Sequence, residues 1–176
     1  MSLNSLEEIA TYIVSEGKGI LAADESNPTC GKRFDSIGVE STEANRRDYR
    51  EMLFRASGMQ DNIGGVILFD ETIRQSSKDG TSLVDIIKDQ GALPGIKVDK
   101  GLQPLNESSE EVVTQGLEGL NERCKEYVAL GARFTKWRAV IRIGEGMPSD
   151  ECIDANMKAL ADYAKVVQDN GMVPMV

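Results

Sequence analysis

Charged side chains stand at the ends of short apolar segments, or inside them, in this sequence. Asp24 and Glu25 directly follow the apolar residues 20–23, and Lys97 and Lys136 lie within two further segments of strand-like composition. A buried lysine or carboxylate is costly unless it is paired or its pKa shifts, and such groups are suited to acid–base work. An acid after a buried strand can also simply cap a loop, and that alternative stays open for Asp24 taken alone.

The spacing of these residues predicts that they share one pocket. Lys97 and Asp99 are two residues apart, as are Lys136 and Arg138, so each pair shares one side of a strand. If the strands line one mouth, Asp24 joins them in a mixed-charge site suited to an anionic sugar phosphate. The alternatives are an internal ion pair for Lys97 and a solvated edge strand for Lys136.

The sequence contains no histidine. This removes the commonest metal ligand and the usual general base. Acid–base work must therefore come from aspartate, glutamate, lysine or tyrosine. The sequence also has neither a Gly-x-Gly-x-x-Gly turn after its first strand nor a Walker A motif.

Composition argues against several other classes of protein. The net charge of −9 disfavours a nucleic-acid binder, and no apolar run approaches the length of a membrane span. The N-terminus lacks a basic region followed by an apolar core, so no signal peptide is expected. Three widely spaced cysteines favour reduced thiols in the cytoplasm over a disulfide framework.

Strand-like and helix-like segments alternate along the chain. Predicted strands are 20–23, 64–69, 94–101, 134–143 and 172–176; predicted helices are 3–14, 43–56, 83–87, 112–130 and 148–170, with a loop at 27–29. Such alternation with short loops predicts βα units and a parallel sheet.

The predicted fold class is α/β, as part of a (β/α)₈ TIM barrel. About five of the eight strands with their helices are present, and inward charges fit a barrel better than a doubly wound sheet. A complete barrel typically needs about 250 residues. We therefore expect residues 1–176 to be the N-terminal portion of a single barrel domain.

Several segments resemble class I fructose-bisphosphate aldolase. The longest are residues 17–26 (GKGILAADES), 64–71 (GGVILFDE) and 95–101 (GIKVDKG). Shorter matches are KWR at 136–138, NRR at 45–47 and TQGL at 114–117. They occur in the family's order and at plausible spacing, and the resemblance covers nearly the whole chain.

The resemblance implies a Schiff-base barrel enzyme of glycolysis and gluconeogenesis that needs no metal and no cofactor, and the absence of histidine agrees with this. Members cleave fructose 1,6-bisphosphate reversibly into dihydroxyacetone phosphate and glyceraldehyde 3-phosphate. The family is usually tetrameric and cytosolic, so the expected partners are the sugar bisphosphate and other copies of the chain, with no nucleic acid and no membrane.

The resemblance also assigns roles to individual residues. Asp24 matches the aspartate that assists carbon–carbon bond cleavage and orients the substrate. Lys136 matches the lysine that helps to form the carbinolamine, and Lys97 matches a lysine of the same charge network. Arg138 matches the arginine that supports this network.

A second group of residues aligns with positions near a substrate phosphate. These are Ser26, Thr29, Arg33 and Arg46, and the two arginines are the more specific matches. Thr29 stands where many relatives carry serine, which keeps the hydroxyl group.

Some family residues have no counterpart in this sequence. In the family, a glutamate pair follows the fifth strand and the Schiff-base lysine lies on the sixth, which the resemblance places beyond Val176. A Schiff base requires a nucleophilic lysine in a low-dielectric site. We therefore expect the 176-residue chain alone to be inactive. The alternatives are a non-catalytic half-barrel that self-associates or pairs with a separate C-terminal half, and a different Schiff-base barrel lyase.

Overall fold

The computed structural model describes residues 3–107 and 109–176. Within these ranges the chain forms eight helices and seven strands. In chain order they are α1 (Leu6–Ile13), β1 (Gly19–Ala23), α2 (Asn27–Asp35), α3 (Glu43–Phe54), α4 (Met59–Asn62), β2 (Ile63–Leu68), α5 (Asp70–Ile73), α6 (Leu83–Asp89), β3 (Leu93–Lys97), β4 (Leu102–Pro104), β5 (Val112–Thr114), α7 (Leu120–Ala129), β6 (Phe134–Lys136), α8 (Asp150–Asp169) and β7 (Val173–Met175).

Five strands form one parallel sheet in the order β1-β2-β3-β6-β7. Each strand pairs in parallel with the one before it, so the sheet is wound in a single direction. A doubly wound sheet would reverse its strand order near the middle, whereas a barrel does not. In the described residues the sheet does not close, and β1 and β7 are its edges. This confirms an α/β fold of the partial-barrel type with about five strands.

The two faces of the sheet are covered by different elements. Along β2, Val66 and Leu68 belong to the main hydrophobic core, whereas Ile67 belongs to a smaller cluster with Ile9 and Ile13 of α1. This division follows from the alternation of side chains along a strand. The main core also takes buried side chains from α6, α7 and α8. The sheet is thus held between its outer helices and α1.

Gly64 lets α1 approach β2 closely. A Cβ atom placed on Gly64 would lie 2.2 Å from the Ile13 carbonyl oxygen. No side chain fits in that space unless the backbone moves. The close packing of α1 against β2 therefore requires glycine at position 64.

Residues 112–119 are not helical, so this part of the predicted helix 112–130 is wrong. Val112–Thr114 is β5, which pairs antiparallel with β4, and α7 begins only at Leu120. Three consecutive β-branched residues favour a strand. Gly116 (φ +130°) and Gly119 (φ +64°) have backbone conformations that interrupt a right-handed helix, which is the physical reason for the difference.

The predicted strand 134–143 is also too long, because β6 ends at Lys136. The Trp137 N–H still donates to the Met175 carbonyl of β7 at 3.2 Å. One residue later, the Arg138 carbonyl accepts a hydrogen bond from Thr114 Oγ1 of β5 at 2.7 Å. The chain therefore leaves the sheet for the β4–β5 hairpin directly after Trp137.

The predicted loop at residues 27–29 is instead the first turn of α2. Ser26 is the N-cap, and Pro28 lies in the first turn. Backbone N–H groups in the first turn have no partner within the helix, so proline is tolerated there. The helices predicted near α1, α3, α6 and α8 are confirmed. Among residues 3–107 and 109–176, no helix combines the length and apolar character that a bilayer crossing requires.

Candidate active site

A cleft of about 990 Å³ lies at the carboxyl ends of the parallel strands. Residues that follow or end β1, β2, β3 and β6 line it, which is where barrel folds place their functional groups. Its charged lining includes Asp24, Glu25, Arg33, Asp70, Arg74, Lys97, Asp99, Lys100, Arg123, Glu126, Lys136 and Arg138. The predicted convergence of strand ends is present in the structure.

Lys136 and Asp24 form an ion pair in this cleft. The Lys136 Nζ atom is 2.7 Å from Asp24 Oδ2, and the two residues are 112 positions apart in the chain. The Asp24 side chain is 10% exposed and that of Lys136 27%, so both are largely shielded yet open to the cleft. A carboxylate and an ammonium in contact can hold or move a proton for a molecule that enters.

Lys97 and Asp99 form a second ion pair beside the first. Lys97 Nζ lies 2.6 Å from Asp99 Oδ1, and the same ammonium donates to the Asp99 carbonyl at 3.2 Å. Asp99 Oδ2 also accepts from the Arg138 backbone N–H at 3.4 Å. Lys97 is therefore in an internal ion pair, and that pair faces the cleft.

The register of β3 against β6 explains why each lysine carries its own carboxylate. Lys97 and Lys136 are direct partners across the two strands. Like charges opposite one another destabilise a sheet unless they are compensated. Asp99 and Asp24 supply that compensation, one for each ammonium group.

Two cationic side chains that line the cleft have no charged partner among the described residues. In the described part of the chain, the Arg138 guanidinium and the Lys100 ammonium have neither an ion pair nor a side-chain hydrogen bond. Unpaired cations at the rim of a cleft attract anions, so this rim can bind a phosphate group.

Ser26, Thr29 and Arg33 line the cleft on the β1–α2 side. The two hydroxyl oxygens are 3.0 Å apart, and the Ser26 hydroxyl makes no capping bond to α2. Arg33 pairs with Glu25 and donates to the Tyr49 hydroxyl at 3.0 Å. The bond to Tyr49 and the charge of Glu25 raise the pKa of Arg33, so it stays cationic.

Arg46 does not line the cleft. Its Nε and Nη2 atoms donate to the two carboxylate oxygens of Glu71 at 2.8 and 2.6 Å, and its Nη1 donates to the Ser41 carbonyl at 2.6 Å. The hydrogen bonds from Arg46 hold the pKa of Glu71 below its usual value. The structure thus separates Arg46 from the other predicted site residues and joins α3 to the start of α5.

The wall beside β2 contains residues that sequence reasoning did not assign. Asp70 accepts from Arg74 at 2.9 Å and from the Tyr127 hydroxyl at 2.9 Å. Burial and the bond to Asp70 raise the pKa of Tyr127 to about 12, so the phenol stays protonated near neutral pH. The sequence did indicate that Asp70 comes after β2 much as Asp24 comes after β1. It could not indicate that Asp70 binds Arg74 and Tyr127.

The described residues contain no group of three or more histidine, cysteine, aspartate or glutamate side chains placed to hold a metal ion. The resemblance described above implies a reaction that uses neither a metal nor a cofactor. The expectation that it needs neither stays a prediction.

The fold and the cleft together define a class of protein: a β/α-barrel protein with lysine–carboxylate ion pairs at the carboxyl ends of its strands. A family model described as fructose-bisphosphate aldolase class-I matches residues 5–176. The chain belongs to the class I fructose-bisphosphate aldolase family.

Curated relatives and a solved structure agree with this assignment. The chain is 56% identical over 176 residues to a probable class 1 fructose-bisphosphate aldolase of Xanthomonas campestris, of which it covers 53%. It is 55% identical over 167 residues to cytosolic fructose-bisphosphate aldolase 6 of Arabidopsis thaliana, covering 95% of this chain and 47% of that protein.

The structure of Plasmodium falciparum fructose-bisphosphate aldolase, in complex with TRAP and a small-molecule inhibitor, superposes with a TM-score of 0.93 at 44% identity. The match covers 99% of this chain and 54% of that one. The chain thus spans about half the length of the relatives it matches.

Proposed function

We propose that the whole protein, meaning the complete polypeptide that carries residues 1–176, is a fructose-1,6-bisphosphate aldolase, a carbon–carbon lyase of glycolysis and gluconeogenesis. It cleaves its substrate reversibly into dihydroxyacetone phosphate and glyceraldehyde 3-phosphate through a Schiff base. Family membership supports this proposal. The observation that carries it is the Lys136–Asp24 pair, which places an acid and a base in contact inside the cleft.

The chemistry of the cleavage explains why such a pair is useful. Breaking the C3–C4 bond requires loss of the proton on the C4 hydroxyl, while the bonding electrons move to an electron sink at C2. A Schiff base at C2 is that sink. We assign the removal of the C4 hydroxyl proton to Asp24, and to Lys136 the proton transfers that form the carbinolamine at C2.

The substrate carries two phosphate groups, and the cleft has cations on two of its sides. Lys97 and Arg138 lie on the β3–β6 side, and Arg33 lies on the β1–α2 side with the Ser26 and Thr29 hydroxyls. We propose that Arg138, Arg33 and the two hydroxyls bind phosphate, and that Lys97 is a catalytic residue of the charge network that includes Asp24 and Lys136. Arg46 is the exception in the predicted set, because it does not line the cleft and its guanidinium binds both carboxylate oxygens of Glu71.

We propose that residues 1–176 form the N-terminal portion of one barrel domain and contribute the acid and the cations, but not the Schiff-base lysine. On this proposal the chain alone is inactive. The open edges of β1 and β7 in the described sheet are compatible with this division and also with the alternative, a non-catalytic half-barrel that self-associates or pairs with a separate half.

We also propose a cytosolic homotetramer. Relatives from Arabidopsis thaliana are named cytosolic. The chain's three cysteines are free and buried, which fits a reducing compartment. The mass of the whole protein in light scattering tests the tetramer, and a stable monomer would contradict it.

Borohydride trapping tests the proposed function. Reduction in the presence of dihydroxyacetone phosphate should add one covalent label to the whole protein at a lysine outside residues 1–176, and none to the isolated 176-residue chain. Labelling of the isolated chain, or of Lys136 in the whole protein, would contradict the roles proposed above. Size-exclusion chromatography of the isolated chain separates the alternative, which predicts a discrete dimer or larger assembly.

A further inference from the structure

Arg50 is a fully buried cation that the proposed mechanism does not use. It lies on α3, its side chain is 0% exposed, and it is among the largest fully buried side chains of the described residues. Removing an arginine from water is unfavourable unless its donors find partners. The groups that Arg50 binds must therefore offset the cost of burying its charge.

Arg50 binds the main chain on both sides of Asp24. Its Nε atom donates to the Ala23 carbonyl at 3.3 Å, and its Nη2 atom donates to the Glu25 carbonyl at 2.5 Å. The two acceptors flank the residue that pairs with Lys136. One rigid guanidinium thus fixes the Ala23–Asp24 peptide group and the Glu25–Ser26 peptide group, which lie on either side of Asp24.

The end of β1 needs such a partner. Ala23 is the last residue of β1 that pairs with β2, so the chain leaves the sheet ladder there, where the bond from Arg50 to the Ala23 carbonyl is buried and that to the Glu25 carbonyl is partly buried. Unsatisfied buried carbonyls are costly, and an arginine presents several donors in a fixed plane. Arg50 Nη1 has no hydrogen-bond partner among the described residues, so the hydrogen bonds that offset the burial of this side chain are the two to the carbonyls.

Glu25 extends the influence of Arg50 to a second residue of the cleft. Arg50 Nη2 is 3.7 Å from Glu25 Oε2, and Glu25 also holds Arg33 and accepts from the Tyr49 hydroxyl at 3.2 Å. Arg50 and Glu25 therefore form an ion pair, and Glu25 in turn binds Arg33. The same cation supports both Asp24 and a proposed phosphate contact.

We propose that Arg50 is a positioning residue that sets the Asp24 carboxylate for proton transfer. Its effect on turnover rests on the proposed function, whereas its effect on the conformation of Asp24 does not. A displacement of about 1 Å at a reacting group can reduce a rate about 100-fold. The expected defect is thus in kcat more than in KM.

The kinetic test uses Arg50→Ala in the whole protein. We expect kcat for fructose 1,6-bisphosphate to fall about 100-fold with a smaller change in KM, and guanidinium at concentrations far below those that unfold the protein to restore much of it. Arg47→Ala is the matched control, because Arg47 is on the same helix and its one ion pair within the described ranges is with the adjacent Asp48. The control should stay within about twofold of wild type and ignore guanidinium.

A second readout separates this inference from the proposed function. The ¹³C resonance of the Asp24 carboxyl, assigned by its loss in Asp24→Asn, should move in Arg50→Ala and return with guanidinium, and should not move in Arg47→Ala. If the whole protein has no aldolase activity, the proposed function fails and this resonance still decides the role of Arg50.

Arg50→Lys covers the case in which Arg50→Ala does not fold. The lysine ammonium places its donors on one nitrogen atom, whereas Arg50 uses two nitrogens held apart in a fixed plane, so a folded Arg50→Lys protein should show a shifted Asp24 resonance and reduced kcat. Wild-type kcat with an unchanged resonance in Arg50→Lys would overturn the proposal. So would a loss of kcat in Arg50→Ala that follows the unfolded fraction and does not respond to guanidinium.

Discussion

Replacing Asp24 by asparagine removes a negative charge from the cleft and changes little else. Asparagine has nearly the same shape, and its amide oxygen can still accept from Lys136 Nζ, which lies 2.7 Å from the native carboxylate. It cannot take up a proton as a carboxylate does. The change therefore separates the chemical role of Asp24 from its place in the packing.

The size of the expected loss follows from what the carboxylate contributes. A positioned acid–base group is worth a factor of about 10²–10⁴ in rate. That factor is about 3–5 kcal/mol in the activation barrier. The structural cost is smaller, because the Lys136 side chain is 27% exposed and water can solvate the unpaired ammonium. We expect a loss of about 1 kcal/mol in the free energy of unfolding.

The assay compares turnover with thermal stability in the whole protein. Asp24→Asn should lower kcat for triose phosphate release about 10²–10⁴-fold, while Tm falls by only about 2–4 °C. The matched control is Asp162→Asn, which breaks an exposed Lys158–Asp162 pair of 2.6 Å on α8 and should leave kcat unchanged. A kcat for Asp24→Asn within about threefold of wild type would refute the reasoning.

Three further predictions concern stability and thiol reactivity. Arg46→Met should lower the free energy of unfolding by about 2 kcal/mol near neutral pH, because it strands the half-buried Glu71 carboxylate. Since Arg46 depresses the pKa of Glu71, the pair stabilises the fold above the unfolded carboxyl pKa; the difference between variant and wild type should shrink as pH falls below about 4. Gly64→Ala should destabilise by about 1–3 kcal/mol or more, because its Cβ would meet the Ile13 carbonyl. Burial raises the pKa of Cys124 to about 11, so a disulfide reagent at neutral pH should find this thiol unreactive until the protein unfolds.

Each of these predictions has a control or a contrary result. Urea denaturation across pH measures Arg46→Met, and a change in KM without a change in stability would instead favour phosphate binding by Arg46. Gly19→Ala is the control for Gly64→Ala, because a Cβ at Gly19 meets nothing within 4 Å. Rapid reaction of Cys124 in the native protein would contradict its burial.

The predicted strands near β1, β2 and β3 were recoverable because their signal is local, a short apolar run that ends on charged residues. The convergence of Asp24, Lys97 and Lys136 then followed from geometry, since the carboxyl ends of parallel strands meet at one edge. The β4–β5 hairpin was missed because the apolar spacing of residues 112–130 suits a helix, and the positive φ angles at Gly116 and Gly119 that interrupt such a helix cannot be read from that spacing.

The arginines of α3 show where sequence reasoning reaches its limit. A guanidinium binds phosphate and carboxylate by the same bidentate geometry, so the sequence could not tell that Arg46 pairs with Glu71, 25 residues away. Arg50 did leave a signal. Arg46, Arg50 and Phe54 are spaced by four residues and all are buried, which marks one helix face that points inward.

The most direct measurement is a crystal structure of the whole protein with fructose 1,6-bisphosphate bound and turnover slowed by cooling. We predict that an Asp24 carboxylate oxygen lies within hydrogen-bond reach of the substrate's C4 hydroxyl oxygen, at about 2.6–3.2 Å. The account would be contradicted by substrate bound outside the cleft. It would also be contradicted if the C4 hydroxyl bonded to a different base while Asp24 contacted only Lys136.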